Sequence, residues 1–248
     1  MTGPSNDLLV DVVIPVLNEQ SQLESSVETL RSYLASRLRH RWRVVIADNA
    51  STDDTPAIGR TLADRYDDVS YLRLEQRGRG RALRTAWMAS DADIVSYMDV
   101  DLSTNLEAFP PLIESLVNGG YDVAIGSRLI RGASVERQWK REIISRVYNF
   151  MILALFPRRR FSDAQCGFKA LTRRAASEVV PLVADQAWFF DSELLLRAEA
   201  RGYRIFEVPV GWIEDLDTRV KIVSTAWEDM KGLVRVRLTP ARRDASRA

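Results

Sequence analysis

The sequence predicts an α/β fold, a mainly parallel sheet flanked by helices. Strand-length runs rich in β-branched residues alternate with segments whose apolar residues recur at helical spacing. Polar, turn-forming residues cluster just after the strands, at Pro15–Glu19, Asp48–Asp53 and Asp99–Asp101. The chain has 248 residues, 46% hydrophobic, with six Trp, which suffices for one domain with a sizeable core.

The first strand is Leu8–Val16 (LLVDVVIPV). Residues 18–38 carry Leu23, Val27, Leu30, Leu34 and Leu38 at helical spacing. Trp42–Ala47 reads as a strand and Asp48–Asp54 as turn chemistry, and Pro56–Arg65 as a helix with Pro near its start. Val69–Leu74 is the third strand, Gly78–Ser90 a helix opening on two glycines, and Ile94–Met98 the fourth strand. Leu106–Asn118 reads as a helix and Tyr121–Ile125 as a strand. The alternation then loosens, with helices over Ile143–Phe156 and Phe189–Ala200 and strands near Gly167–Leu171 and Arg204–Val208. An amphipathic helix is expected over Val220–Val236 and a mobile basic tail over 239–248. Residues 1–238 therefore read as a single domain, with a nucleotide-binding half up to residue 101 and an acceptor-facing half after it.

Composition excludes several classes of function. Lys plus Arg is 35 and Asp plus Glu 34, a net charge of +1, so no nucleic-acid partner is expected. One Cys and one His exclude an intramolecular disulfide and Cys-rich or His-pair zinc sites, leaving oxygen ligands for any metal. His40, between Arg39 and Arg41, reads as a surface residue. Cys166 reads as a packed small side chain, and Trp188, Phe189 and Phe190 as core. The N-terminus has no targeting pattern. The longest apolar stretch, Val147–Phe156, falls short of the ~20 residues a bilayer span needs, so a cytoplasmic chain is expected. From Arg128 to Arg160 there are nine basic and two acidic residues. An apolar helix with such flanks fits a segment lying in a membrane interface, and equally a buried helix with a solvated basic rim.

Ligands of open parallel sheets bind at the carboxyl ends of the strands, which brings the three polar clusters to one edge. Asp99 and Asp101 flank a single residue there. Two carboxylates so spaced suit Mg²⁺ or Mn²⁺, which binds one or two carboxylates together with substrate phosphates. A dinucleotide fingerprint would need its glycines after the first strand, where this chain has PVLNE, and no Walker P-loop is present.

In combination, PVLNE, the DNASTDDT loop, RGRGRAL and MDVDLS resemble the family 2 inverting glycosyltransferases of GT-A fold. IGSR at 125–128, KR at 140–141, ISRVYN at 144–149, SDAQCGFKA at 162–170, FFDSELL at 189–195 and VPVGW at 208–212 resemble the polyprenyl- or dolichyl-phosphate hexose synthases. QCGFK and FFDSELL look more like the glucosyl than the mannosyl branch. The likeness spans residues 9–237.

The resemblance implies roles by position. Pro15 and Glu19 line the nucleoside pocket, Asp48 and Asn49 meet the base or ribose, and Asp99 and Asp101 sit at the diphosphate as metal ligands. Arg128 and Lys140 or Arg141 hold the lipid phosphate, and Asp163, Gln165 and Gly167 border the donor sugar. Asp191 and Glu193 form an acidic pair near the acceptor, orienting the sugar or the acceptor loop. Arg219 lies in a loop closing over the diphosphate. Two positions depart from the family pattern. The usual Asp-Asp-Gly-Ser loop is Asp48-Asn49-Ala50-Ser51, and Ser103 stands where mannosyl members often have Gln.

The implied reaction moves glucose from UDP-glucose to a polyprenyl or dolichyl phosphate with inversion, at the cytoplasmic face of a membrane. The acceptor phosphate has a second pKa of about 6 and is largely anionic at neutral pH, so it needs little base assistance. The alternatives are a GDP-mannose-dependent synthase and the same fold acting on a non-lipid acceptor. Many relatives carry C-terminal spanning helices, so a separate membrane partner is a further expectation.

Overall fold

The computed structural model describes residues 8–136, 139–213 and 222–239, apart from the side chains of 136, 139–144 and 222–226. Its framework is a seven-stranded sheet. The strands are β1 (Leu9–Val16), β2 (Arg41–Asp48), β3 (Val69–Arg73), β4 (Ile94–Met98), β5 (Val123–Ser127), β7 (Phe168–Thr172) and β8 (Ile205–Pro209), in the order β3-β2-β1-β4-β7-β5-β8. All pairings are parallel except those of β7, which runs antiparallel to β4 and β5. The carboxyl ends of the other six strands therefore share an edge with the amino end of β7. The order reverses between β1 and β4, the kind of switch point where α/β sheets open a crevice.

Strand residues alternate between two cores, as the two-residue period of a strand requires. Val12 and Ile14 face one layer with α1 (Leu23–Arg37), α2 (Thr55–Arg65) and α4 (Phe109–Val117). Val13 and Val45 face the other, with α3 (Arg79–Ala89), α5 (Trp139–Leu155), α6 (Arg173–Val179), α7 (Phe190–Ala200) and α8 (Ile222–Leu238). Trp87, fully buried, packs its ring 5.8 Å from Tyr97 and 6.0 Å from Phe190 and joins α3 to β4 and α7.

The structure departs from the sequence reading in a few places. The first helix begins at Leu23 rather than at Asn18. Asn18 is left-handed at φ 55°, and its amide donates to Ser51 Oγ at 2.9 Å, so the chain turns before it coils. The helix α6 is capped by Thr172 Oγ1, which accepts from the Ala175 amide at 3.3 Å, a local signal that short segment offered. A two-stranded parallel sheet pairs β6 (Ser134–Glu136) with β9 (Gly211–Ile213). His40 is buried rather than at the surface, with Nε2 3.3 Å from Glu114 Oε1. From residue 240 on, the expected tail lies outside the described residues, as does Arg219.

Candidate active site

One end of the shared edge, where the sequence reading expects the nucleoside, is built by the loops after β1 and β2. Asp48 is fully buried, and both its oxygens are engaged. Oδ1 accepts from the Ser51 amide at 2.9 Å, and Oδ2 from Tyr71 Oη at 2.5 Å and Arg73 Nη1 at 2.8 Å. Asp48 shapes the loop, and ligand contact requires it to exchange a partner. Asn49 Oδ1 accepts from the Gly78 amide at 2.6 Å and ties this loop to the start of α3. Glu19 donates its amide to Thr55 Oγ1 at 2.8 Å and accepts from Gln22 Nε2 at 2.6 Å, while Pro15 lies in β1 opposite Ala47. Asn18, Ala50 and Leu102, one in each loop after β1, β2 and β4, are left-handed non-glycine residues with φ of 55°, 59° and 50°.

The centre of the edge is an ion cluster. The Arg79 guanidinium bridges Asp99 Oδ1 at 2.7 Å and Asp191 Oδ2 at 2.6 Å. It also lies 5.0 Å from the Tyr97 ring centroid and 5.3 Å from that of Trp188, within cation–π range. Lys169, fully buried on β7, places Nζ 3.1 Å from Asp191 Oδ1, which also accepts from the Tyr97 hydroxyl. Burial opposes ionisation of Asp191, but Lys169 and Arg79 outweigh it and hold the carboxyl below its usual range. Gly78, with φ of +153°, opens α3 where a Cβ would meet the Gln186 carbonyl oxygen at 2.5 Å.

The cationic end lies past β5. Arg128 grips Asp163 through Nε at 2.7 Å and Nη2 at 2.9 Å, and its own amide donates to Oδ2 at 3.1 Å. Its guanidinium sits 5.5 Å from the Trp212 ring centroid. Burial disfavours both charges, and each partner outweighs it for the other, so Asp163 stays ionised and Arg128 is held above the usual range. Gln165 reaches from this loop to Asp229 Oδ2 at 3.2 Å. Lys140 and Arg141 lie in the first turn of α5, where only the backbone is described. Burial pushes the Cys166 thiol up to about 12, which fits a packed side chain rather than a nucleophile.

Residues 11–180 match the family described as Glycosyl transferase family 2. The chain belongs to glycosyl transferase family 2. It is 38% identical over 219 residues to glycosyltransferase AglD of Haloferax volcanii, covering 86% of this chain and 34% of that protein. It is 27% identical to the dolichyl-phosphate beta-glucosyltransferase of Saccharomyces cerevisiae, covering 94% of this chain and 75% of that protein. With the mouse protein of that name the identity is 30%, over 83% of this chain and 67% of the relative. The chain thus spans about a third of the archaeal relative's length. Among solved structures it resembles glucosyl-3-phosphoglycerate synthase of Mycobacterium tuberculosis, determined with Mn²⁺, UDP and phosphoglyceric acid. The TM-score is 0.72 at 20% identity, over 96% of this chain and 80% of that one, a likeness of fold that identifies the architecture as GT-A.

In this family 2 chain the two members of the acidic pair on α7 part company. Asp191 joins the ion cluster. Glu193, two residues on and about 200° around the helix, is fully buried elsewhere. Its Oε2 accepts from the amides of Ala184 at 3.1 Å and Asp185 at 3.0 Å and from Arg235 at 2.6 Å, and its Oε1 from Arg197 at 3.1 Å. It therefore holds the 184–187 loop against α7 and α8. That loop in turn receives the Gly80 and Arg81 amides of α3. Trp188, expected in the core, is 46% exposed beside Arg79.

A divalent cation fits the carboxylates after β4. Asp99 is 40% exposed, and its Oδ2 faces Gly167, where a Cβ would stand 1.9 Å away. The carboxylate fills the space that a side chain at 167 would take, so glycine there admits Asp99 in this position. Asp101 Oδ1 accepts from the Ser103 amide at 2.9 Å. No cluster of three or more His, Cys, Asp or Glu side chains forms among the described residues. Two carboxylates plus substrate phosphates match what Mg²⁺ or Mn²⁺ asks for.

Sequence reasoning missed Arg79, Tyr97, Lys169, Trp188 and Trp212. Arg79 had a signal, a basic residue between two glycines at a helix start. Lys169 had another, a charge inside a strand of apolar residues.

Proposed function

We propose that this chain transfers glucose from UDP-glucose to a polyprenyl or dolichyl phosphate with inversion of the anomeric carbon. The observation that carries the reading is the division of one sheet edge into an acidic diphosphate end, Asp99 and Asp101, and a cationic end at Arg128. The loop Asp163–Gly167 lies between them. The names of the yeast and mouse relatives support the same donor and acceptor.

Asp99 and Asp101 would hold Mg²⁺ or Mn²⁺, which supplies charge neutralisation at the departing diphosphate. Arg79 adds a fixed cation beside Asp99. Asp191 is a poor base, because Lys169 and Arg79 hold its carboxyl below the usual range and both its oxygens are engaged. It aims Arg79 instead. Arg128 Nη1 has no hydrogen-bond partner among the described residues, whereas Nε and Nη2 are spent on Asp163. That free donor, with Lys140 or Arg141, binds the acceptor phosphate, whose anionic oxygen attacks in line. Asp163 and Gln165 shape the sugar subsite, and Arg219 closes over the diphosphate. Rate enhancement then comes from placement and preorganised charge.

The reading places the protein peripherally at the cytoplasmic face of a membrane. No described helix is long and apolar enough to cross one. Val147, Phe150 and Leu153 on α5 and Trp227, Val234 and Leu238 on α8 are exposed, and the two helices pack together. The decisive experiment incubates purified protein and Mg²⁺ or Mn²⁺ with short polyprenyl phosphate and labelled UDP-glucose or GDP-mannose in parallel. Label should enter the organic phase from UDP-glucose. Label from GDP-mannose alone overturns the donor, and transfer only to a soluble acceptor overturns the lipid.

A further inference from the structure

A cavity of about 480 Å³ opens between the carboxyl-terminal parts of α5, α7 and α8, within the size range of small-molecule sites. Counted along α7, its residue Glu199 lies about 12 Å from Asp191, so this is a second place on the molecule. The helix α5, 17 residues or about 25 Å long, divides the basic segment in two. Lys140 and Arg141 stand in its first turn, and Arg158 and Arg159 follow its last residue and line the cavity. One wall is apolar, from Leu155, Phe156, Leu196 and Val236.

The other wall is cationic and short of anions. Arg158 and Arg237 line it and have no carboxylate partner among the described residues. Arg159 donates only to the carbonyl oxygens of Phe161 and of Asn149, the latter at 2.8 Å, and its Nε is buried without a partner. Burial depresses the Arg159 pKa, and the more distant charges of Glu207, Glu199 and Asp163 only partly oppose it. The one carboxylate in the lining, Glu199, accepts from the Arg160 amide and is itself raised by burial. Arg158 and Arg237 are exposed and Arg159 is partly buried, so the cluster is open to an anion from solvent, which would also meet the unpartnered Arg159.

We infer that this cavity binds one anionic phospholipid of the membrane, its phosphate on Arg158, Arg159 and Arg237 and its first methylenes against Leu155, Phe156 and Val236. Charge complementarity selects an anionic headgroup. The exposed residues Leu153 of α5 and Leu238 of α8 lie near the same helix ends as the cavity, on other faces of those helices than lining residues Leu155 and Arg237. The site is separate from the acceptor site, and it rests on the membrane-surface reading above.

Native mass spectrometry with dioctanoyl phosphatidylglycerol tests it, alongside flotation on phosphatidylcholine vesicles with and without phosphatidylglycerol. One lipid per chain is expected. The exposed double variant Arg158→Gln/Arg237→Gln should weaken it at least tenfold, with thermal stability and transfer to a short acceptor in detergent unchanged. Dioctanoyl phosphatidylcholine should bind at least tenfold more weakly. Undiminished binding in the double variant, or displacement by an equal concentration of inorganic phosphate, overturns the lipid site. If the wild-type protein still floats in that case, the cavity proposal fails alone. Wild-type protein that floats on neither vesicle overturns the membrane reading and the lipid site together. Lost transfer in the double variant overturns the separation of the two sites.

Discussion

Gly167 and Asp99 are placed by each other. The glycine ends the 163–167 loop against the carboxylate after β4, and any side chain there would occupy the space beside Asp99 Oδ2. Gly167→Ala should therefore push the carboxylate aside. The expected outcome is at least a tenfold rise in the concentration of divalent cation or nucleotide sugar needed for half-maximal transfer. The overpacking cost should be about 1–3 kcal/mol, read by thermal denaturation. Unchanged metal dependence would show that Asp99 is not where the cation acts. At this scale the sequence disclosed the acidic residues well, since Asp99 and Asp101 stand just past a readable strand. It did not disclose their partners. Arg79, Lys169 and Tyr97 meet Asp191 only because β7 inserts antiparallel between β4 and β5 and brings α7 alongside. No local pattern reports that pairing.

At the scale of elements, α8 carries a carboxyl whose surroundings work against its charge. Asp229 is buried, with Oδ1 unpartnered. Burial and the nearby charges of Asp185 and Asp191 raise its pKa to about 7. A carboxyl that titrates near 7 when folded and near 4 when unfolded withdraws up to roughly 4 kcal/mol of stability as pH rises through that interval. The contribution is intact below pH 4 and lost above 7. Chemical denaturation of the wild type between pH 5 and 8 should show falling stability, and Asp229→Asn should flatten the slope. An equally steep slope in the variant would assign the effect elsewhere. The strands and long helices were legible because apolar period and turn residues agreed there. The capped helix after β7 and the β6–β9 pair were too short to show a period. The helix read from Asn18 was delayed by hydrogen bonds from a loop 33 residues away.

On the scale of the whole molecule, the active-site edge draws on both halves of the chain, and the exposed faces of α5 and α8 come from the second. That arrangement suits the proposed reaction, which draws one substrate from water and the other from a bilayer. The triple variant Phe150→Ser/Leu153→Ser/Val234→Ser removes apolar area without touching the cleft. Vesicle affinity should fall about tenfold or more on neutral and anionic bilayers alike, since each buried apolar side chain contributes about 1.5–3 kcal/mol. Transfer to a short acceptor in detergent should persist, while transfer to a long-chain acceptor in vesicles should fall with the affinity. Retained vesicle binding would move the membrane face elsewhere.

The turn after β2 has one more implication. Ala50 sits at φ 59°, at the position where the resemblance noted above puts glycine. A methyl group in that conformation costs about 1 kcal/mol, so glycine would make the turn easier to form. Alanine also has fewer other shapes to visit. The loop proposed for the nucleoside has less disorder to surrender when its guest arrives, and the chain carries that stiffness as a small, permanent loss of stability.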